Sequence, residues 1–561
     1  MSTLNRVHPQ DGSMIGLWAA LALVLLVLVS FVPGQSSVPP LDRDEPRYTQ
    51  ATKQMVETGD YVRIRFQEAP RHKKPIGIHW LQAGAVALSG DGAEAPLWVY
   101  RIPSLLGAIA AVGLSIWTAR AFLPLGAATV VGGLVGAMVI LGVEARLAKT
   151  DAVLLATVLL MQGALARVWL DKAKGWAAPL TFWIGLALGI LVKGPIAPMV
   201  AVFTVAVLMW LDDRRLFGRL RPLAGVVILA AICLPWFVAI WRATDGAFFT
   251  TALGTDFLGK AATGQEGHWA PPLTHLAFFF AVAWPMAPFA IASLAGFWKE
   301  RGAALLFAAA WVIPGWIVFE ATPTKLPHYT LPLLPGIALA SVAVLATTTP
   351  PVLLRRLAAL ALGLAPVGMV LAALAAPSAV AYAVGQPLDI AAHLVTLATP
   401  IGLAAAAIGA YGGVCLWRGA PALSARVAGS AIASAAVAQM VVWGMIVPNI
   451  KPLWVSPALV AAAEEVSGCP HPRLASVGGF NEPSMIFLAG TDTMLTGPEE
   501  AVALAAAQNC VVIVSRERTT PAVREAAAAA GVTLAEPTVV EGFNISKGDP
   551  VRLTLFVRTA P

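Results

Sequence analysis

The chain has 561 residues, of which 58% are hydrophobic and 12% charged, with a formal net charge of +7. Soluble domains carry about 25% charged residues, so this composition excludes an ordinary soluble protein and predicts a polytopic α-helical membrane protein. The excess positive charge is divided among short loops and one long N-terminal loop. It forms no basic stripe of the kind that binds nucleic acid.

Apolar runs fall at 14–33, 98–119, 123–142, 152–170, 176–192, 196–211, 223–240, 277–297, 303–319, 331–346, 352–376, 391–417 and 427–446. Each approaches the roughly 20 residues a helix needs to cross a bilayer, which predicts about thirteen transmembrane helices. The first run ends at Val32-Pro33-Gly34 without a clear small-residue cleavage site and reads as an anchor. Arg167/Lys172/Lys174, Arg214/Arg215/Arg219/Arg221, Lys299/Arg301, Arg355/Arg356 and Arg418/Arg426 fall in alternate loops. The positive-inside rule puts these in the cytoplasm, with the N-terminus, and the other loops and the C-terminal tail outside. The predicted organisation is an anchor helix and periplasmic polar loop with amphipathic surface helices (1–97), a helical membrane body (98–447) and a small periplasmic α/β domain (448–561).

The long first loop masses charge at a bilayer surface, in Leu41-Asp-Arg-Asp-Glu-Pro-Arg-Tyr48 and again in Arg71-His-Lys-Lys-Pro75. Ionisable groups beside lipid are costly and point to a charged headgroup or to chemistry. Asp44-Glu45-Pro46 predicts a helix start and Gly59 its stop, with Tyr48, Ala51, Thr52, Met55 and Val56 at helical spacing. The expectation is a short amphipathic helix lying on the membrane surface, followed by a second over 76–87. Asp44 is the leading catalytic candidate. A carboxylate there can take a proton from an acceptor hydroxyl or hold a metal ion, although Asp44 or Glu45 is also a natural helix cap. Lys74, with Arg71, Lys73 and His72, suits an anionic phosphate; a basic patch on lipid headgroups is the plainer alternative. Arg43 and Arg47 read as a surface pair facing headgroups or Asp42.

Further along, Asp151 opens an apolar span just after Arg146 and Lys149, so a second carboxylate sits on the same outward side, with a helix cap as the plainer alternative. Lys193-Gly-Pro195 and Lys325-Leu-Pro-His-Tyr329 each put a lysine at a proline-marked helix end on that side. Snorkelling lysines are the bland reading of either. The stretch 259–269, with Lys260, Glu266 and His268, reads as a mobile flap over a cleft. No spacing among Asp44, Glu45, His72, His79, Glu266, His268 and His275 matches a dedicated metal site, which predicts no certain cofactor and leaves a divalent metal open. In the tail, short apolar segments such as 473–477, 511–515 and 551–557 alternate with Ala-rich helical stretches. Cys469 and Cys510 lie there, where an oxidising compartment permits a disulfide. Cys233 and Cys415 read as small core residues.

These pieces together carry a resemblance. Asp44-Glu45 with Arg47-Tyr48 after the first helix, Thr58-Gly-Asp60, Lys74-Pro75 followed by Trp80, Arg101-Ile-Pro103, Asp151 at a helix start, Lys193-Gly194 and Lys325-Leu-Pro-His-Tyr329 occur in order over about the first 350 residues. In this the chain resembles the bacterial polyprenyl-phosphate-sugar glycosyltransferases related to the lipid A aminoarabinose transferase and the protein O-mannosyltransferases, which share the GT-C membrane fold. The resemblance implies inverting transfer of a sugar from a polyprenyl-phosphate carrier at the outer face of the bacterial inner membrane. The acceptor would be lipid A, another envelope glycan or a protein. Asp44 would correspond to the family's essential loop carboxylate and Asp151 to a secondary acidic group. Lys74, Lys260 and His268, with Arg71, would stabilise the leaving phosphate. Glu45, Arg47, Tyr48, Lys193, Lys325 and Tyr329 are further cavity candidates. Partners would be the lipid-linked donor, the acceptor and membrane lipids, with no nucleic acid, and the protein would act as a monomer. One departure is Lys73, where the aminoarabinose transferases tend to have an acidic residue.

A transporter or flippase of a lipid-linked saccharide is the rival reading. Such proteins hold ionisable residues near the bilayer midplane, whereas here the charges gather at one face of the predicted spans. A non-catalytic anchor for the tail would leave the first loop unexplained.

Overall fold

The computed structural model describes residues 11–172, 174–252, 254, 259, 269–300, 302–385 and 396–559. Among these, eight helices are long and apolar enough to cross a membrane, or nine if the bent pair Thr274–Val282 and Met286–Gly296 is one span. Four shorter apolar helices accompany them. In chain order the first elements are α1 (Asp11–Phe31), α2 (Asp44–Thr58), α3 (Gly77–Ser89), α4 (Leu97–Ala119), α5 (Leu125–Ala137), α6 (Val139–Glu144), α7 (Asp151–Trp169), α8 (Ala177–Lys193) and α9 (Ile196–Leu211).

Helix α7 is the hub. Its apolar stretch is 83% buried, against 22% for the helix Pro222–Thr244, whose Leu223, Val226 and Val227 are left for lipid. Small residues let the neighbours come close. A Cβ added to Gly107 of α4 would stand 2.8 Å from the Val153 nitrogen of α7, and one added to Gly185 of α8 would stand 3.0 Å from the Met161 nitrogen.

Two runs read as single spans are broken. The 123–142 run leaves the helix at Met138, between α5 and α6, and the 277–297 run bends by 117°. Pro285 supplies no N–H to continue that helix. The two breaks complete each other, because the Val139 N–H donates to the Trp284 carbonyl at 3.1 Å. Backbone polar groups in an apolar interior require such a partner.

Helix α2 begins at Asp44 and stops at Gly59, whose φ of +69° is a left-handed cap suited to glycine. It does not lie on an open membrane surface. Glu45, Pro46 and every residue from Tyr48 to Met55 are buried, between α3 and the helix Pro483–Ala489 of the C-terminal domain. The polar face is satisfied internally: Thr52 Oγ1 donates to Gln82 Oε1 at 2.7 Å, and Gln82 Nε2 donates to the Ala148 carbonyl at 2.9 Å.

After a two-stranded β1 (Arg65–Phe66) and β2 (Ala69–Pro70), the remaining strands belong to the C-terminal domain: β3 (Arg473–Val477), β4 (Met494–Thr496), β5 (Val511–Arg516), β6 (Thr538–Asn544) and β7 (Asp549–Phe556). The sheet order is β4-β3-β5-β7-β6, with β3 parallel to both β4 and β5, and β7 antiparallel to both β5 and β6. Alternate residues of β5 serve opposite faces. Val512 and Val514 pack with the helix Val455–Ser467, while Val511 and Ile513 pack with the helices Pro498–Ala507 and Thr520–Ala529. Cys469 and Cys510 are disulfide-bonded. Gly107→Val is expected to destabilise the solubilised protein by about 1–3 kcal/mol, since a side chain there must separate α4 from α7. Thermal unfolding in detergent checks this; an unchanged midpoint would contradict it.

Candidate active site

Three segments meet at the head of α7: the first loop, the 145–150 turn and the 325–329 turn. The Asp151 carboxylate is ion-paired with Lys193 through Oδ1 and lies 3.6 Å from Lys149 through Oδ2. Lys149 Nζ also bonds Glu144 Oε1 at 3.0 Å. His328 stands between the two carboxylates, 3.9 Å from Glu144 and 4.0 Å from Asp151. Gly194 closes α8 at φ +64° and ψ −123°, a conformation open to glycine, and so turns the chain just after Lys193. A Cβ on Gly194 would lie 3.9 Å from Pro75, so the Lys74-Pro75 turn sits on the Lys193-Gly194 turn.

Asp44 belongs to this assembly. Its side chain is exposed to water although Lys149, Arg71, His328 and Arg47 surround it, as expected of a group lining an open cleft. Crowding by protein alone would raise its carboxyl, but Lys149, Arg71, His328 and Arg47 outweigh that and hold it below the usual carboxylate range. Burial would lower the Lys149 ammonium, yet Glu144, Asp151 and Asp44 raise it above the ordinary lysine value. Arg71 also lies over the Tyr48 ring, 5.2 Å from its centre. Burial and then Arg71 push the His79 imidazole down to about 3, so it is neutral in its bond with Thr52.

Cations outnumber carboxylates here. Asp44, Glu144 and Asp151 face Lys149, Lys193, Arg71 and Arg47, before Lys73 and Lys74 are added. Among the described residues no three His, Cys, Asp or Glu side chains are grouped to hold a metal ion. Lys149, Arg71 and Arg47 around Asp44 make a setting for an anion.

Known proteins share this framework. Residues 73–241 match the family described as dolichyl-phosphate-mannose-protein mannosyltransferase. An undecaprenyl phosphate-alpha-4-amino-4-deoxy-L-arabinose arabinosyl transferase of Pseudomonas fluorescens is 26% identical over 339 residues, 57% of this chain and 57% of that one. The corresponding transferase of Edwardsiella ictaluri is 26% identical over 336 residues, 57% and 58% of the two chains. The chain thus spans less than two thirds of the length of these curated relatives. The crystal structure of ArnT from Cupriavidus metallidurans bound to undecaprenyl phosphate superposes with a TM-score of 0.72 at 18% identity, over 96% of this chain and 98% of that one. The chain has the GT-C fold.

On the GT-C framework the candidate residues separate into groups. Asp44, Asp151, Lys193, Arg71 and Arg47 come together, with Tyr329 at the edge, its ring 6.0 Å from Lys193 Nζ. Tyr48 is buried between Arg71 and His79. Lys74 is partly buried at the turn beside Gly194. Lys260 and His268 lie outside the described residues. Two candidates leave the cavity. Lys325 is buried and donates to the Phe319, Glu320 and Thr322 carbonyls at the end of the helix Ala303–Ala321, which uses up its three protons. Glu45 is fully engaged with Arg101, at 2.7 and 2.8 Å, and accepts the Ala148 N–H at 2.9 Å. It anchors the loop. Neither Asp44 nor Asp151 acts through a side-chain cap, since the N-cap positions Arg43 and Thr150 make no such bond and the carboxylates face cations.

Glu144 and His328 were not among the candidates from sequence. Glu144 lies two residues beyond the 123–142 run, and its only signal was a lone carboxylate at the end of a predicted span. Arg101→Met should cost about 3–5 kcal/mol by leaving Glu45 buried without its partner. Chemical denaturation of the purified variant measures it; a loss under 1 kcal/mol would mean that the pair does not hold the loop.

Proposed function

We propose that the chain is an inverting glycosyltransferase that moves a sugar from a polyprenyl-phosphate carrier to lipid A, another envelope glycan or a protein, at the periplasmic face of the bacterial inner membrane. The observation that carries this is an ionised, water-accessible Asp44 ringed by cations at the same end of the spans as Lys74, Lys149 and Lys193. A phosphate leaving group needs cations, and an acceptor oxygen needs a base or an orienting acceptor beside them.

The acceptor oxygen attacks the anomeric carbon in line with the bond to phosphate. As that bond breaks, its electron pair passes to the phosphate oxygen. A hydroxyl acceptor gives its proton to Asp44, and an acceptor already ionised is only oriented there. Arg71 and Lys74, on the same loop, neutralise the released polyprenyl phosphate. Lys149 keeps Asp44 ionised before reaction, and Asp151 and Glu144 fix Lys149 and Lys193.

The orientation is part of the same proposal. At the end of the spans away from Asp44, Arg167, Arg221 and Arg356 lie over Trp117, Trp176 and Trp417 at 3.9, 3.9 and 5.0 Å, an arrangement suited to a basic cytoplasmic interface. The Cys469–Cys510 bond accords with a periplasmic tail.

Purified protein supplied with undecaprenyl-phosphate-linked aminopentose and lipid A is expected to form modified lipid A and free undecaprenyl phosphate; absence of both products would count against the reading. Lys74→Ala should weaken binding of fluorescent undecaprenyl phosphate roughly tenfold or more, the worth of one charged hydrogen bond. Unchanged affinity by titration would remove Lys74 from the donor site. Lys149→Met takes away the main group that lowers the Asp44 carboxyl, so the acid limb of the transfer rate should move to higher pH by about one unit or more. A limb that stays in place would dissociate Lys149 from Asp44.

A further inference from the structure

The C-terminal domain grips the loop that carries Asp44 at a point two residues away. Asp42 Oδ1 accepts the backbone N–H of Ser484 at 2.9 Å, and Asp42 Oδ2 shares a short bond with Ser484 Oγ. Ser484 Oγ is also 2.6 Å from Ser456 Oγ, and both serines are buried. Ser484 lies at the start of the helix Pro483–Ala489, which packs along α2. The residue before that helix, Glu482, is itself fixed, accepting from Asn544 Nδ2 at 2.9 Å and Ser546 Oγ at 2.8 Å. The start of this helix is therefore pinned to the end of β6.

The other side of Asp44 is tied to the membrane body. Glu45 is held by Arg101 and by the Ala148 N–H. The four residues 42–45 thus have one anchor in the C-terminal domain and one in the helical body, with Asp44 between them. The cavity beside Asp42, lined by Pro40, Trp454, Ser456, Glu482 and Asn544, measures about 20 Å³. That admits a single water and no sugar, so the polar cluster serves as a clamp and not as a second saccharide site.

We propose that Ser484 is a positioning residue: by holding Asp42 it sets Asp44 against the acceptor oxygen, which makes the C-terminal domain part of the catalytic assembly. This rests on the transferase reading above. The domain also touches the far end of α2 and its following turn, where Gln67 Nε2 donates to the Thr491 and Thr493 carbonyls at 3.1 and 2.6 Å. Those contacts dock the domain without reaching Asp42, which allows docking and positioning to be separated.

The test is steady-state transfer from undecaprenyl-phosphate-linked aminopentose to lipid A by the purified protein. Ser484→Ala is expected to lower kcat roughly 10- to 100-fold, as for a misplaced reacting group, with the donor KM within about twofold of wild type because the phosphate-binding cations are untouched. Ser484→Thr, which keeps both donors, should restore kcat to within about threefold, and Gln67→Ala should leave it near wild type. If Ser484→Ala does not fold, Asp42→Asn keeps the side chain's shape but one acceptor fewer, and should lower kcat in the same direction. Wild-type kcat in whichever of these folds, or an equal loss in Gln67→Ala, would overturn the proposal while leaving the transferase reading intact. No turnover by the wild type would remove that reading and this inference with it.

Discussion

The structure depends on one buried ion pair. Arg101, in the first full span of the body, has no solvent exposure and holds Glu45 with two bonds. The same guanidinium also donates to the Gln35, Val38 and Pro39 carbonyls at 2.8, 2.7 and 3.2 Å. One side chain therefore fixes the end of the anchor helix's connection, the start of α2 and, through Glu45, the 145–150 turn. A buried charge is tolerated only when its partners are complete, and here completion demands that three separate segments converge. The cleft is what lies between them.

Charge inside that cleft is arranged in pairs with an excess of cation. Asp151 and Glu144 compensate Lys193 and Lys149, and the latter is shared with Asp44. Sharing leaves Asp44 ionised yet open to water, the condition a base or orienting group requires. Arg71 and Arg47 stand beside Asp44 as further cations. The opposite end of the spans carries arginines over tryptophans, and its carboxylates Asp171 and Asp213 pair with Arg219 while Asp212 accepts from Trp169. The two ends differ in chemistry, not merely in charge.

Much of this was readable from the chain. Apolar runs disclosed the membrane body, and Pro46 and Gly59 marked α2 to within a residue. Lys193-Gly194 and Asp151, each weak alone, do meet. What could not be read was partnership. Glu45 looked like a cavity group because Arg101 lies 56 residues away, and local sequence gives no sign of that pairing. Helix α2 looked like a surface helix because its apolar stripe is narrow; its polar face is covered by the C-terminal domain, as in the bond from Gln50 to Thr491, 441 residues downstream, which leaves no hydrophobic signature. Met138 and Trp284-Pro285 broke predicted spans in the midst of apolar residues, where only the pairing of the two breaks makes each affordable. Glu144 was lost as one charge at the end of an apolar run, with no local sign of its partner Lys149.

The measurement that bears most directly on the account is mass spectrometry of lipid A and envelope glycoproteins from a deletion strain carrying either the wild-type gene or Asp44→Asn at matched protein level. A pentose or hexose mass lost on deletion and restored by the wild type alone is the predicted result. Equal restoration by Asp44→Asn would contradict the account, because the carboxylate around which the cleft is charged would then have no part in the reaction.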